Sequence, residues 1–414
     1  MSTEPGTAIT PDVPWLDLAD PGFDTNGEQV HAARERSWWA RTPYGAAVLR
    51  HQQGAALLRD RRFVQGNARW PEQNGIHSGL FHDWWAETLL SLEGEDHHRV
   101  RRLLLPAFRK RSIEAMRPSF TALAEELVDG FAGRGRVELV SELAEPYAAR
   151  VICRLLGLDE DHWPQVAHWA DDLGASFSTD VAAQVPRIEA ALDGLSGYLA
   201  DVVADRRAAP RDDFLTALVG AADAPPDGEA GLSDHELSVA LVFLVFAGME
   251  TTRNQLTLAV RTLLRHPDQW RLLARRPDLG AACVEEVMRV DPTVTWVTRE
   301  ALEEVDLGDG LVVPAGGVVQ VLSHAAGTDP AAAAGGATGL DLEAAARGER
   351  VLHTGFGAGI HHCLGHYVAR VDMAVVLPLL AARMPDAECD GPGEWLPASG
   401  NTGAVSFPLR FTPT

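Results

Sequence analysis

The sequence predicts a mainly α-helical protein with small β-sheets, organised around one long buried helix. Three observations carry this. Helical spacing of apolar residues recurs through most of the chain between Gln52 and Arg383. One such pattern runs without a breaker from Ser233 to His266, about 33 residues or roughly 50 Å at 1.5 Å per residue. The segments that read as strands, Tyr44–Leu49, Leu311–Val313 and Gly317–Leu322, are short.

Composition bounds the function. With 414 residues, 46% of them hydrophobic, the chain supports a sizeable core, and no linker rich in Gly, Ser and Pro divides it. The expectation is one domain over residues 1–414, irregular up to about residue 30. Its 36 basic against 58 acidic residues give a net charge of −22, which argues against a nucleic-acid partner. No basic region followed by an apolar one opens the chain, and the longest apolar run, Val239 to Met249, is too short to span a bilayer. Cys153, Cys283, Cys363 and Cys389 show no disulfide or zinc spacing, so a cytoplasmic protein without a membrane partner is expected.

In chain order, Tyr44–Leu49 reads as a strand and Gln52–Arg61 as a helix with Ala55, Leu57 and Leu58 inward. Val64–His82, broken by Gly66, Pro71, Gly75 and Gly79, reads as a loop of the kind that covers binding sites. From Glu93 the chain turns to EGEDHHRVRRLLLPAFRKR. His97 and Arg101, four apart, share a helix face within a basic run from Arg99 to Arg111; the plainer reading is a solvated face. Helical patterns continue over Arg117–Phe131 and Leu143–Leu156, through the more polar Asp159–Arg206, and again at Phe214–Val219.

The loop ADAPPDGEAG leads into Ser233-Asp234-His235-Glu236, a capping box in which Ser233 and Glu236 satisfy orphan amides; Pro267 stops the helix at His266. Its first half is apolar on every side, the signature of burial. Into that half the sequence places Ala247-Gly248-Met249-Glu250-Thr251-Thr252. Gly248 weakens a helix by about 1 kcal/mol relative to alanine, and a buried carboxylate needs partners or a shifted pKa. Either these residues serve chemistry, or Thr251 merely bonds back to a carbonyl and Glu250 pairs with Arg253.

After Pro277 a helix to Arg289 contains Glu286-Val287-Met288-Arg289, whose spacing also occurs at Glu114 and Arg117 and alone reads as a salt bridge. Pro314-Ala315-Gly316 is expected to turn between the two later strands. An Ala and Gly tract, Ala331–Ala346, precedes LHTGFGAGIHHCLGHYVAR, residues Leu352–Arg370. Here Gly355, Gly357 and Gly359 loosen a loop that delivers Cys363 to the start of a helix expected over Leu364–Arg383, with a kink at Pro378. A thiolate at a helix N-terminus gains from the amides and dipole there, which suits a metal ligand that must stay ionised. The pattern of Phe356, Gly359, Cys363 and Gly365 arises by chance in about one such sequence in a thousand.

Taken in order, these motifs resemble those of the soluble bacterial cytochromes P450, over about Tyr44 to Phe411. HHRVRR is similar to that family's HxxxR helix, AGMETT to its oxygen-binding helix and EEVMR to its E-x-x-R helix. VTREA resembles its segment with a propionate-binding arginine, and FGAGIHHCLG its haem loop. The resemblance implies the cytochrome P450 fold, mainly α with small sheets and a long central helix over haem b. It makes Cys363 the iron ligand and His97, Arg101, Arg299 and His361 the partners of the haem propionates. Phe356 and Gly365 would belong to the haem loop, Ala247 and Gly248 to the face where dioxygen needs space. Thr251 and Glu250 would be the catalytic pair, a hydroxyl and an acid that bring in protons from solvent. Glu286 and Arg289 would be a structural pair. The family's Arg-Phe pair before the haem loop is replaced by Gly339-Leu340, so the third partner of that structural pair has no counterpart in the sequence.

The activity implied is a monooxygenase that hydroxylates or epoxidises a small organic substrate such as a secondary metabolite, the alternative being oxidative aromatic coupling or ring formation. No flavin or nicotinamide domain is visible. Ferredoxin and ferredoxin reductase are therefore the expected electron donors, docking on Arg99, Arg102, Arg109, Lys110 and Arg111. The stretches expected to face substrate are Trp84–Leu90, Trp169–Phe177, Phe243–Ala247, Thr293–Val297 and Ser399–Thr402. Trp84, Trp85 and Trp296 would offer flat walls to an aromatic substrate, or serve as core. A zinc module built on Cys363 with His361, His362 and His366 is disfavoured, because adjacent residues cannot all face one tetrahedral ion. A dinucleotide loop fails at Ile360, where a third glycine would stand. A non-catalytic haem-fold docking module stays open, although Glu250 and Thr251 beside Cys363 argue against it.

Overall fold

The structure, a computed structural model, describes residues 13–414 except 21, 179, 225–229, 334, 335, 337, 350 and 398. Residues 1–12 of the irregular N-terminal stretch, and parts of the 222–231 loop and of the Ala and Gly tract, therefore lie outside the described residues. The N-terminal remainder is irregular in backbone but packed: Leu16, Leu18 and Phe23 are buried, and Trp15 bridges to Arg41.

A five-stranded sheet forms one side of the molecule. Its strands are β1 (Trp39–Thr42), β2 (Gly45–Val48), β3 (Phe63–Gln65), β4 (Trp296–Ala301) and β5 (Val318–Leu322), in the order β1-β2-β5-β4-β3. All neighbours are antiparallel except β2 and β5. The register sets Gln65 opposite Arg299 across β3 and β4, which fixes one basic residue of the site from two distant parts of the sequence.

Among the described residues three smaller sheets of two or three strands accompany this sheet, one of them a C-terminal hairpin of Glu394–Trp395 and Ala404–Ser406, and the other elements are helical. The helices that position the site are α1 (Leu80–Glu87), α2 (Gly94–Leu104), α3 (Lys110–Ala132), α4 (Glu145–Leu156), α5 (Trp163–Gly174), α6 (Val181–Ala208), α7 (Asp234–Arg265), α8 (Gly280–Val290) and α9 (His366–Arg383). Helix α7 starts at the anticipated capping box, Ser233 and Glu236 each satisfying the other's end. It packs against α4, α5, α6, α8 and α9, and both halves contribute to the core. Its length and composition alone would allow a membrane crossing, but most of its apolar window is buried among its neighbours. Helix α9 rests on α3 and α8.

Several local expectations change. Val64–His82 is not all loop: Gln65 closes β3, Trp70–Gln73 forms a helical turn with Pro71 in its first turn, and α1 begins at Leu80. The sheet pairing that makes β3 is non-local, and proline in a first turn removes an amide that has no partner anyway. The Leu143–Leu156 helix is preceded by a π turn over Val140–Ala144, and the Asp159–Arg206 pattern splits into α5 and α6. The strands flanking Pro314-Ala315-Gly316 do not pair with each other: Val312–Val313 pairs with Val305–Asp306, and β5 joins the large sheet. Helix α9 runs through Pro378 without ending. Proline frees the carbonyl of Ala374, and Gly280 of α8 lies where a Cβ would be 2.6 Å from that oxygen and 2.9 Å from the ring, so only glycine lets the two helices close here.

Candidate active site

The cysteine loop is shaped by backbone demands. Gly357 and Gly359 take φ of 64° and 75°, in the left-handed region that favours glycine. A Cβ at Gly359 would stand 2.5 Å from the Leu58 carbonyl oxygen, so the loop lies directly on the chain before β3. The Cys363 amide donates to the Phe356 carbonyl at 2.9 Å, closing the loop, and Gly365 caps α9, which begins at His366 rather than Leu364. Cys363 is half-buried. Burial pushes its thiol up, against the Gly365 amide and the Arg101 and Arg370 guanidiniums, which pull it down. Phe356 is buried beneath the Arg370 guanidinium, 4.5 Å from its ring centre.

Basic groups surround that loop. His97 of α2 is fully buried, with both ring nitrogens unpartnered among the described residues; burial, then His361 and Arg101, hold it down to about 4. Its ring lies 4.4 Å from that of His361, whose Nε2 donates to Glu93 at 3.0 Å. Arg101 donates to the His362 carbonyl at 2.5 Å. Arg299 is buried, donating to Gln65 Oε1, to the Thr298 carbonyl at 2.9 Å and to the Leu58 carbonyl at 3.4 Å; burial lowers it to about 10. Glu93 and Gln65, which tie this cluster together, carry no motif. The only signal for Glu93 was its place ahead of the EDHHR run.

On α7 the residues Phe243, Ala247, Gly248 and Thr251 are only half-buried while their neighbours are buried, so one face of the helix borders open space. Thr251 Oγ1 donates back to the Ala247 carbonyl at 2.7 Å. Gly248 has a packing role too: a Cβ there would meet Ile152 of α4 at 2.8 Å. Glu250 is buried, and its Oε2 has no partner among the described residues. The expected pairing with Arg253 is not made. Arg253 Nη1 instead reaches Asp171 of α5 at 2.9 Å and Glu145 of α4 at 3.7 Å.

Glu286 and Arg289 are both buried and joined by two 2.8 Å bonds. Main-chain groups also join them: Arg289 donates to the Gly327 carbonyl at 3.0 Å and the Gly339 carbonyl at 2.6 Å, and the Asp341 amide donates to Glu286 at 2.9 Å. The chain at Gly339 to Asp341 thus meets the pair through main-chain groups. Glu285, accepting from His353 at 3.2 Å and Arg370 at 2.5 Å, links α8 to the loop from the other side.

Of the stretches expected to face substrate, α1 presents Trp84 and Trp85 as buried rings. Trp84 lies edge-on to Phe246 at 6.2 Å, Trp85 edge-on to Phe177 at 5.7 Å, and Phe177 stacks on Phe246 at 5.7 Å. Trp85 donates to the Asn67 carbonyl and is core. Trp296 is half-buried in β4. Thr293 joins two of the stretches, donating to Asn401 Oδ1 at 2.7 Å. In the basic run Arg109, Lys110 and Arg111 are exposed, but Arg99 is committed to Glu236, Asp96 and the Gly231 carbonyl.

Luteothin monooxygenase of Streptomyces thioluteus is 34% identical over 412 residues, covering 99% of this chain and 98% of that protein. Cytochrome P450-SU2 of Streptomyces griseolus is 32% identical over 419 residues, 99% and 98% of the two chains. The chain belongs to the cytochrome P450 family. Among solved structures, CalO2 superposes on this P450 with a TM-score of 0.84 at 30% identity, over 95% of this chain and 99% of that one. No family model matches the sequence. The P450 is thus a monooxygenase, an oxidoreductase whose cofactor is haem b. Bacterial members of the family take electrons from ferredoxin and reductase partners and act on small organic molecules.

The residues present fit that cofactor. Both nitrogens of the buried His97 await partners, cationic Arg101 and Arg299 suit two carboxylates removed from water, and Cys363 supplies the only thiol among the loop's residues.

Proposed function

We propose that this P450 hydroxylates or epoxidises a small organic secondary metabolite in the cytoplasm, fed by a ferredoxin and its reductase, as a single domain. Cys363 holds the haem iron, Phe356 and Gly365 shape the loop around it, and His97, Arg101, Arg299 and His361 hold the propionates. When bound, the haem supplies the centre at which dioxygen is reductively activated. Ala247 and Gly248 line the side of α7 where dioxygen enters, and Thr251 and Glu250 deliver protons there. The observation that carries the reading is the half-buried stripe Phe243, Ala247, Gly248 and Thr251 beside a buried acid, in a chain that also keeps the Cys363 loop. A docking module without chemistry has no use for that stripe or for the cost of burying Glu250.

The test is turnover with ferredoxin, reductase and a ligand found by its shift of the haem spectrum, under labelled dioxygen. The product should carry one labelled oxygen atom. A product lighter by two hydrogens and without label would replace the reading by oxidative coupling.

A further inference from the structure

Glu250 and two buried amides beside it carry polar groups without partners among the described residues, and these groups are complementary. Glu250 Oε2 is an acceptor without a donor; Asn254 Nδ2 and Asn401 Nδ2 are donors without acceptors, among the described residues. All three side chains are more than nine-tenths buried. Leaving such groups unmatched is unfavourable, so their convergence calls for a reason.

They come from two elements. Asn254 stands one turn after Glu250 on α7, its Oδ1 accepting from Arg253 Nε at 3.3 Å. Asn401 lies in the loop of the C-terminal hairpin, pressed onto α7 at Gly403, where a Cβ would come within 2.4 Å of Asn254. The single Thr293 hydroxyl proton is shared between Asn401 Oδ1 at 2.7 Å and the Thr402 carbonyl at 2.6 Å, and Ser399 donates to the Asn401 carbonyl at 2.5 Å. With its oxygen on the Thr293 side, the Asn401 amide has its Nδ2 without an acceptor among the described residues. Asn254 follows Glu250 by one turn and Gly403 presses the Asn401 loop onto that turn, so both amides flank the carboxyl, on the side that favours its ionised form, without meeting it at hydrogen-bond distance.

We propose that Asn401, together with Asn254, is a positioning residue for proton delivery: its amide N–H orients the Glu250 carboxyl and favours its ionised form, so that the acid can both accept and release a proton. The inference rests on the assignment of Glu250 to proton delivery. The other charges facing Glu250 are Arg253 on its own helix, Asp171 of α5 and, beyond Arg253, Glu145 of α4. Arg253 is shared between those two carboxylates, which leaves the uncharged amides as the groups free to act on Glu250 alone. Burial pushes Glu250 up to about 7, Arg253 and the amides opposing and Asp171 adding, which suits proton exchange near neutrality.

The test is an infrared pH titration of the haem-loaded protein, following the carboxyl C=O band that disappears in Glu250→Gln. In Asn401→Leu the midpoint should rise by about one unit, about tenfold tighter proton binding, and the band should move to higher wavenumber as the neighbouring N–H donor is removed. Thr293→Val, which removes the hydroxyl shared between the Asn401 amide and the Thr402 carbonyl, should shift it the same way by less; this variant decides the matter if Asn401→Leu does not fold. Midpoints equal to wild type in the folded variants would overturn the inference while leaving Glu250 its role. If Glu250→Gln removes no titrating band and leaves product yield per electron unchanged, the assignment of Glu250 fails, and the inference with it.

Discussion

Glu250 and Thr251 are neighbours in sequence but stand on different faces of α7, the acid inside the protein and the hydroxyl at the edge of open space. Thr251→Ala removes one hydroxyl and its bond to the Ala247 carbonyl in a helix that favours alanine, so the fold should be unaffected. Product formation should fall about 10²-fold, the low end of what a positioned proton donor contributes, with hydrogen peroxide taking its place as the sink for electrons. Unchanged coupling of reductant to product would remove Thr251 from the relay. At this scale the motifs made Cys363, His97, Arg299 and Thr251 legible in the sequence. Their partners were not legible. Gln65 meets Arg299 only through sheet register, Glu93 meets His361 through the loop's position on the sheet, and Asp171 takes Arg253 away from Glu250 across helices.

The Glu286 and Arg289 pair decides how α8 holds the chain leading to the cysteine loop. Its charges are buried, so removing one leaves the other uncompensated. Arg289→Leu should destabilise the protein by about 3–5 kcal/mol, measured by urea unfolding, with loss of haem retention; a change below about 1 kcal/mol would show the pair to be dispensable. The E-x-x-R spacing announced the pair, but not that Gly327, Gly339 and Asp341 join it, because carbonyls and amides carry no signature in residue type. Helix α9 teaches the same lesson. Pro378 suggested a kink, and only the approach of Gly280 to the Ala374 carbonyl shows how the break is absorbed in packing.

For the whole molecule, a net charge of −22 makes the exposed Arg109, Lys110 and Arg111 a local exception at the start of α3. If they steer an acidic ferredoxin, reversing Arg109 and Lys110 to glutamate should slow the first electron transfer at low salt by about tenfold or more, with the difference shrinking as salt rises. Rates that ignore both the reversal and the salt would place the docking face elsewhere. Arg99, by contrast, is held by Glu236. The mainly α architecture and its long central helix were legible from periodicity and capping alone, whereas the sheet order was not, since β2, β5, β4 and β3 are brought together from opposite ends of the chain.

The proposed function depends on a thiolate from Cys363 holding the haem. The measurement that tests this most directly is the absorption spectrum of the purified protein, reduced with dithionite and exposed to carbon monoxide. The wild type should show the red-shifted Soret band of a thiolate-ligated carbonyl, and Cys363→Ser should lose that band. A colourless protein, or a band unshifted in the wild type or unaltered by Cys363→Ser, would contradict the account.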